Sequence, residues 1–365
     1  MKKFIILALI LLCYLFTNFS CSVTGKDNQS VQKSDAASYK NIIPTGQVCA
    51  GVNIHFITGH ENDLDMIANA GFKFIRIDFE WQSIEQSKGV YTWDAYDELT
   101  ANIEKRGLGV IYVLDYSNSF YEDLITPETP LPWEPSKVPA SPQHKESIDA
   151  FARWSAAAAM RYRGKNIIWD IWNEPNINFW KPKPDVNQYN ALAMATCKAV
   201  KEVVPEAIMI GPSTSEIPLP FLESFVSSGI LDYLDAVSVH PYRDYSKSPE
   251  TVLSEYEKLR ELIDRYTKKK TPIICSEWGY TSSTKGIPVA KQAEYIVRMQ
   301  LTNVLAGIPV SIWYDWKNDG VDTNDWGQNF GTVTNDLIPK PAYKAIRLLN
   351  LQMNGYTFVQ RLELK

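Results

Sequence analysis

Two glutamates in this chain stand where paired acid and base chemistry could be built. Glu174 closes the run Ile167-Ile168-Trp169-Asp170-Ile171-Trp172-Asn173 and is followed by Pro175. The first six residues of that run are β-branched or aromatic apart from Asp170, as a strand covered on both faces requires, and Pro175 cannot donate the next ladder bond. Glu174 is thereby predicted at the C-terminal tip of a strand. Taken alone, it reads equally well as a solvated loop glutamate. Glu277, before Trp278-Gly279, ends a second apolar run in which Ile273, Cys275 and Glu277 are expected to share the inward side. With two carboxyls at one mouth, one can stay protonated to supply a leaving oxygen while the other, ionised, attacks or activates water. That division of labour is the chemistry of glycoside hydrolysis.

The elements that must carry these tips alternate without a break. The spacing predicts strands over 48–56, 72–79, 109–115, 167–172, 207–210, 236–240, 272–276 and 310–314. Helices are expected over 61–70, 93–106, 145–163, 186–204, 221–228, 249–268, 289–306 and 341–353, with Gly71, Gly107 and Gly164 as stops and Ser248 as a cap. Eight strand–helix pairs over some three hundred residues predict an α/β fold, a (β/α)₈ TIM barrel forming a single catalytic domain, with chemistry at the C-terminal ends of the strands. A doubly wound sheet would need a glycine-rich loop after its first strand, and Val52-Asn53-Ile54-His55-Phe56 supplies none. The long segment Tyr116 to Pro142 exceeds an ordinary βα connection and is expected to shape a cleft.

Composition narrows the partner. The chain of 365 residues is 45% hydrophobic and 22% charged, which excludes disorder as its main theme. Its net charge of -5, becoming -7 once Lys2 and Lys3 are removed with a leader, argues against nucleic acid. Eleven Trp and nineteen Tyr offer flat faces suited to a carbohydrate substrate. Lys2-Lys3, the apolar run Phe4 to Phe16 and Ser20-Cys21 have the layout of a signal peptide over 1–20. Cys21 is expected to be lipidated, with 21–42 as a polar tether to a domain over 43–365, on the periplasmic or cell-surface side of a bacterial outer membrane. Membrane contact is expected only through that anchor. Cys49, Cys197 and Cys275 have no close spacing, so neither a disulfide framework nor a metal site is indicated, and no cofactor is expected. The oligomeric state is left open.

Parity assigns further residues to the mouth. Arg76, Asp78 and Glu80 share the inward side of the second strand and are expected to form an ion-pair network. Asn53 and His55 end the first strand, Asp115 the third, and His240-Pro241-Tyr242 the sixth. Trp313, inward by the same count, is the expected floor for the sugar at the cleavage point, with Trp180, Trp81, Trp133 and Trp316 as walls of further subsites or as plain core.

Trp172-Asn173-Glu174-Pro175 and Ser276-Glu277-Trp278-Gly279 resemble the acid/base and nucleophile motifs of the large clan of retaining glycoside hydrolases built on this barrel. Asn176, Phe179-Trp180-Lys181-Pro182-Lys183 and Pro339-Lys340-Pro341-Ala342-Tyr343 are similar to the catalytic domain of family 39 within it. The resemblance spans about Val48 to Leu351. It implies Glu174 as general acid and then base, with its pKa raised by nearby negative charge, and Glu277 as nucleophile, kept ionised by Arg76 and the Tyr242 hydroxyl. It also implies that Asn173 holds the sugar 2-hydroxyl and that His240 stands in the cleft. Only Tyr356 to Lys365 follows the barrel, which departs from the xylosidase members with their β-rich accessory region and is closer to the shorter, exopolysaccharide-cleaving ones. Three alternatives stand beside retaining hydrolysis: a surface glycan-binding protein without turnover, a cellulase-like member of another family of the clan, and transglycosylation.

Overall fold

The computed structural model describes residues 46–131 and 134–362, all within one compact unit. The expected leader, Cys21, the tether and Trp133 lie outside the described residues. Eight parallel strands close into a barrel in sequence order. They are β1 (Ala50–Asn53), β2 (Phe74–Glu80), β3 (Gly109–Asp115), β4 (Ile167–Ile171), β5 (Ile208–Ser215), β6 (Ala236–His240), β7 (Ile273–Trp278) and β8 (Ser311–Trp313). Each is followed by a helix: α1 (Glu61–Asn69), α2 (Asp94–Glu104), α3 (Lys145–Arg161), α4 (Val186–Val203), α5 (Leu219–Ser227), α6 (Leu253–Tyr266), α7 (Val289–Leu305) and α8 (Pro341–Met353). This is the (β/α)₈ barrel that the alternation predicts.

Two apolar layers hold it together. Inside the barrel, Phe74, Ile111, Ile168, Ile210, Ala236, Ile274, Val310 and Ile312 pack as one cluster. Gly51 is small for a reason: a Cβ there would stand 2.2 Å from Ile312 Cδ1. Between strands and helices lies the larger cluster, to which α2 turns Tyr96, Leu99 and Ile103. Each such fully buried side chain contributes roughly 1.5–3 kcal/mol.

Several elements differ from expectation in instructive ways. β5 continues to Ser215 through Gly211-Pro212, where a stop is predicted, because its pairing with β6 shifts register between Pro212 and Thr214 and so absorbs the missing donor. The segment before α6 is a 3₁₀ turn, Pro249–Val252, and Ser248 makes no side-chain cap bond. Asp185 does cap α4, accepting from the amides of Asn187 at 2.9 Å and Gln188 at 3.1 Å. The segment from Tyr116 contains a short ribbon, Leu124–Ile125 against Val138–Pro139. Among the described residues, no helix is long and apolar enough to cross a membrane.

Candidate active site

Glu174 is aimed by an irregular strand end. Ile168 and Asp170 face the barrel interior, yet Trp172 packs outward against Phe151 and Trp180. Alternation is broken there by left-handed backbone at Trp172, φ 69°, and at Glu174, φ 47°. Such residues cost energy and persist where their surroundings over-determine them. Here the Glu174 amide donates to the Ser213 carbonyl at 3.0 Å, and Asn176 exchanges two hydrogen bonds with the Ser215 backbone. The outcome turns Asn173 and Glu174 into the mouth.

Glu277 reaches the same mouth through a bulge. Ile274 and Ser276 face the interior, Ser276 meeting Ser213 at 3.1 Å, whereas Ile273 and Cys275 face the helices. The expectation that Ile273 and Cys275 share the inward side with Glu277 is therefore corrected. Ser311 of β8 pairs with Cys275 and Trp313 pairs with Trp278, so β7 spends three steps where β8 spends two. The extra residue re-aims Glu277 inward. Gly279 then lets the chain pass Tyr314, whose carbonyl oxygen would lie 1.9 Å from a Cβ at that position.

Arg76, 2% exposed, connects these tips. Its Nη1 donates to Glu277 Oε2 at 2.6 Å and to Asn53 Oδ1 at 3.2 Å, and its Nη2 donates to Asn173 Oδ1 at 2.8 Å. The Tyr242 hydroxyl donates to Glu277 Oε1 at 2.6 Å. His240 Nδ1 lies 2.9 Å from Glu174 Oε1, and its Nε2 lies 3.4 Å from Arg76 Nη2. Ligand-type atoms of Glu174, His240 and Glu277 all fall within 4.8 Å of one another. A metal ion could be counted into that triangle, but the Arg76 guanidinium already supplies its positive charge.

Burial governs the electrostatics of Glu174 and its neighbours. Burial pushes Glu174 up to about 7, with Arg76 opposing and Glu216 adding. Nearby negative charge is thus not the main cause, contrary to expectation: burial comes first and Glu216 only adds to it. Burial likewise drives His240 down to about 3, with Arg76 reinforcing and Glu277 opposing. The imidazole is then neutral. Since Arg76 can only donate, Nε2 accepts and Nδ1 carries the hydrogen toward Glu174 Oε1. Below them Asp170 is pushed up to about 6 by burial, against the pull of Arg76 and of the Ser213 and Ser238 hydroxyls.

Not every expected residue lines the cleft. Trp180 is fully buried between Trp172 and Tyr189, with Nε1 donating to Gln188 at 3.1 Å, and is core. Trp313 is also fully buried: its neighbour Ile312 takes the inward place, and Trp313 packs outward with Nε1 on the Phe330 carbonyl at 3.2 Å. Trp81 and Trp316 are buried too. The residue at the expected floor is Tyr314, one step later, half-buried, with edge contacts to His55 at 5.5 Å and Phe330 at 5.3 Å. The signal that could have found it is parity counted from Ile312 rather than from Trp313. His55, its side chain 47% exposed, stands 3.5 Å from the buried Asp315. Burial lowers its pKa, but contact with Asp315 and the charges of Asp319 and Asp78 carry it up to about 9. Asp78 and Glu80 face inward as predicted, but among the described residues they form no ion pair; Arg76 is committed to Glu277. Tyr116 and Phe179, stacked at 6.0 Å, add an aromatic wall beside a cavity of about 250 Å³ that Leu131, Pro139 and Lys181 also line.

Known proteins resemble this chain in sequence and fold. The model of the cellulase family, glycosyl hydrolase family 5, matches residues 38–320. A β-xylosidase of Caldicellulosiruptor saccharolyticus is 26% identical over 216 residues, covering 53% of this chain and 43% of the relative. A β-xylosidase of Geobacillus stearothermophilus is 28% identical over 214 residues, covering 50% and 41%. The chain thus spans less than half the length of the curated relatives it matches. Among solved structures, a family 39 glycoside hydrolase from the gut symbiont Bacteroides cellulosilyticus WH2 superposes with a TM-score of 0.73 at 25% identity, covering 86% of this chain and 65% of that one. A family 39 β-xylosidase from Caulobacter crescentus shares the fold, with a TM-score of 0.65 at 20% identity and coverage of 83% and 71%. The structural likeness to family 39 agrees with the motif resemblance, while the family model sets the membership. The chain belongs to the cellulase family, glycosyl hydrolase family 5, in the clan of barrel glycosidases that also holds its family 39 relatives.

Proposed function

We propose that this chain cleaves glycosidic bonds in a poly- or oligosaccharide with retention of configuration, by double displacement. The observation that carries the reading is the approach of Glu174 and Glu277, with carboxylate oxygens within 4.8 Å. Retaining enzymes hold their two carboxyls about 5–5.5 Å apart, and inverting ones leave about 6.5–9.5 Å for a water. In the first step a Glu277 oxygen bonds to the anomeric carbon as the glycosidic C–O bond breaks, and Glu174 hands its proton to the departing oxygen. His240 Nδ1–H occupies Glu174 Oε1, so the transferable proton sits on Oε2. In the second step Glu174, now a carboxylate, takes a proton from water as that water's oxygen displaces Glu277. Arg76 and Tyr242 hold Glu277 in line, and Asn173, itself fixed by Arg76, is placed to bind the 2-hydroxyl of the sugar. Tyr314 and Tyr242 present rings to the substrate.

The deciding experiment is product stereochemistry on an active glycoside, with a fluorosugar to trap the intermediate. Retention and a label on Glu277 support the reading; an inverted product sinks it. Glu277→Ala is expected to abolish turnover, and Glu174→Ala to spare substrates with good leaving groups. Binding of a glycan with no cleavage in the unaltered protein would favour the surface glycan-binding alternative. We also infer, from Ser20-Cys21 and the polar segment after it, that Cys21 is lipidated and tethers the domain to an outer membrane. Palmitate labelling that survives Cys21→Ala would refute this.

A further inference from the structure

One tryptophan stands in the open. Among the described residues, Trp326 is the only exposed tryptophan, at 53%, and it lies on the long connection between β8 and α8. Its backbone is held from two sides. The Thr281 hydroxyl donates to the Trp326 carbonyl at 2.8 Å, and the amides of Ser282 and Thr284 donate to the carbonyls of Asn329 at 3.0 Å and Thr323 at 2.9 Å, which ties this connection to the one after β7. From within, the Asn329 side chain donates to the Asp322 and Asp325 carbonyls, each at 2.8 Å. The Trp326 ring meets the fully buried Phe330 edge-on at 4.9 Å, and Phe330 in turn meets Tyr314 at 5.3 Å and Tyr242 at 6.5 Å. An aromatic strip thus runs from the tyrosine that grips Glu277, past Tyr314 at the expected floor, to an exposed indole at the rim.

Topology fixes which part of a substrate this strip borders. In a barrel closed in sequence order, β8 stands opposite β4, whose tip carries Glu174. A leaving group takes its proton from Glu174 and departs over β4, so the sugars retained on Glu277 extend the other way, toward β8. We propose that Trp326 is the stacking platform of a second sugar subsite on that retained side. The substrate class is then a glycan with at least two pyranose residues before the scissile bond, not a terminal monosaccharide alone. The indole offers a flat apolar face to the C–H face of a pyranose ring. Because the connection is already pinned, little freedom is lost when a sugar settles on it. Single exposed apolar residues are common on protein surfaces, and placement is what sets Trp326 apart. Tyr266 ends α6 and bonds Glu223 of α5, and the Phe358 backbone pairs with Gly46 ahead of β1, both at the opposite end of the barrel from the mouth.

The inference rests on the proposed glycosidase reading for the direction of the substrate, and its first test does not depend on turnover. Titrate the inactive Glu174→Gln protein calorimetrically with xylose, glucose, mannose and galactose, and with the β-1,4-linked disaccharide of each. At least one disaccharide is expected to bind about tenfold or more tighter than its monosaccharide, as a ring–sugar contact gives. Adding Trp326→Ala should reduce that preference to less than threefold, and Trp326→Phe, which keeps a ring, should retain it. In the catalytically intact protein, nitrophenol release from the nitrophenyl disaccharide and monosaccharide glycosides gives a ratio of kcat/KM. Trp326→Ala should lower that ratio by a similar factor, through KM and not kcat. A merely structural role would depress both substrates alike and leave the ratio unmoved. That outcome overturns the proposal, as does no disaccharide preference at all or a preference that Trp326→Ala leaves intact. Turnover is read separately: nitrophenol release without the preference sinks this inference alone, and the preference without any release sinks the glycosidase reading while the platform stands.

Discussion

His240 Nδ1 lies 2.9 Å from Glu174 Oε1 while its Nε2 faces the Arg76 guanidinium at 3.4 Å, so one neutral imidazole joins the proposed acid to the cation that holds its partner. Glu174 sits near 7 because it is buried, and it must be protonated to act first. The proposed enzyme is therefore expected to lose kcat/KM as pH rises through about 7. In Glu174→Gln, assayed on a dinitrophenyl glycoside, that alkaline limb should vanish. A limb that persists in the variant assigns it to another group.

Arg76 uses its two terminal nitrogens on different partners, Glu277 at 2.6 Å and Asn173 at 2.8 Å. A lysine is a single point charge and cannot span both. Arg76→Lys is expected to lower kcat by at least about 100-fold, an effect typical of removing a preorganised electrostatic contact. Its circular dichroism should be unchanged; a loss under tenfold would show that the fork is not needed.

Trp180 and Tyr314 exchange the roles that sequence reading assigns to tryptophans. Trp180→Ala empties a fully buried site and should cost about 3–5 kcal/mol of stability. A milder Trp180→Phe, which keeps the fold, should leave KM within a factor of about two, since no ligand touches that ring. Tyr314→Ala should instead raise KM by about tenfold or more with little change in melting temperature, as expected for a lost ring–sugar contact. The reverse pattern would return Trp180 to the cleft.

Asp170 supplies a test on stability. Its folded pKa is raised to about 6 by burial. The unfolded chain titrates near 3.9, so the native state binds the proton more tightly. The stabilisation this gives is fully present below about 3.9 and is lost as pH rises through about 6, a change on the order of 3 kcal/mol. Asp170→Asn escapes that loss. Between pH 4 and pH 8 the melting temperature of the variant should improve relative to the parent by several degrees. A constant difference would mean that Asp170 is not shifted.

The barrel was legible because periodicity and punctuation agree. Gly71, Gly107 and Gly164 stop their helices with φ of 77°, 68° and 86°, and the eight apolar runs fall between such stops. Glu174, Glu277, Asn173, His240 and Tyr242 were legible because short motifs mark strand tips whatever the parity behind them, and Arg76 because parity turns it inward on β2. Trp313 was misplaced because parity on β8 runs from Ile312, whereas the aim of Glu174 and Glu277 rests on events with no residue-type signature. These are a bulge between Cys275 and Trp278, and positive φ at a tryptophan and a glutamate, residues that seldom adopt it. The cause of the Glu174 shift was illegible as well, since burial depends on the whole mouth.

The bulge in β7 also decouples the layers of the molecule. Below it, side chains obey the strict two-residue period that packing demands; above it, Glu277 is set one step out of phase. Repacking Ile273 or Ile274 would alter the foundations while leaving the nucleophile's bearing alone, whereas removing the bulge between Cys275 and Trp278 would return this stretch to strict alternation and turn Glu277, the neighbour of inward Ser276, toward the helical layer. The scaffold and the reacting group are thus separately adjustable, and the hinge between them is one residue long.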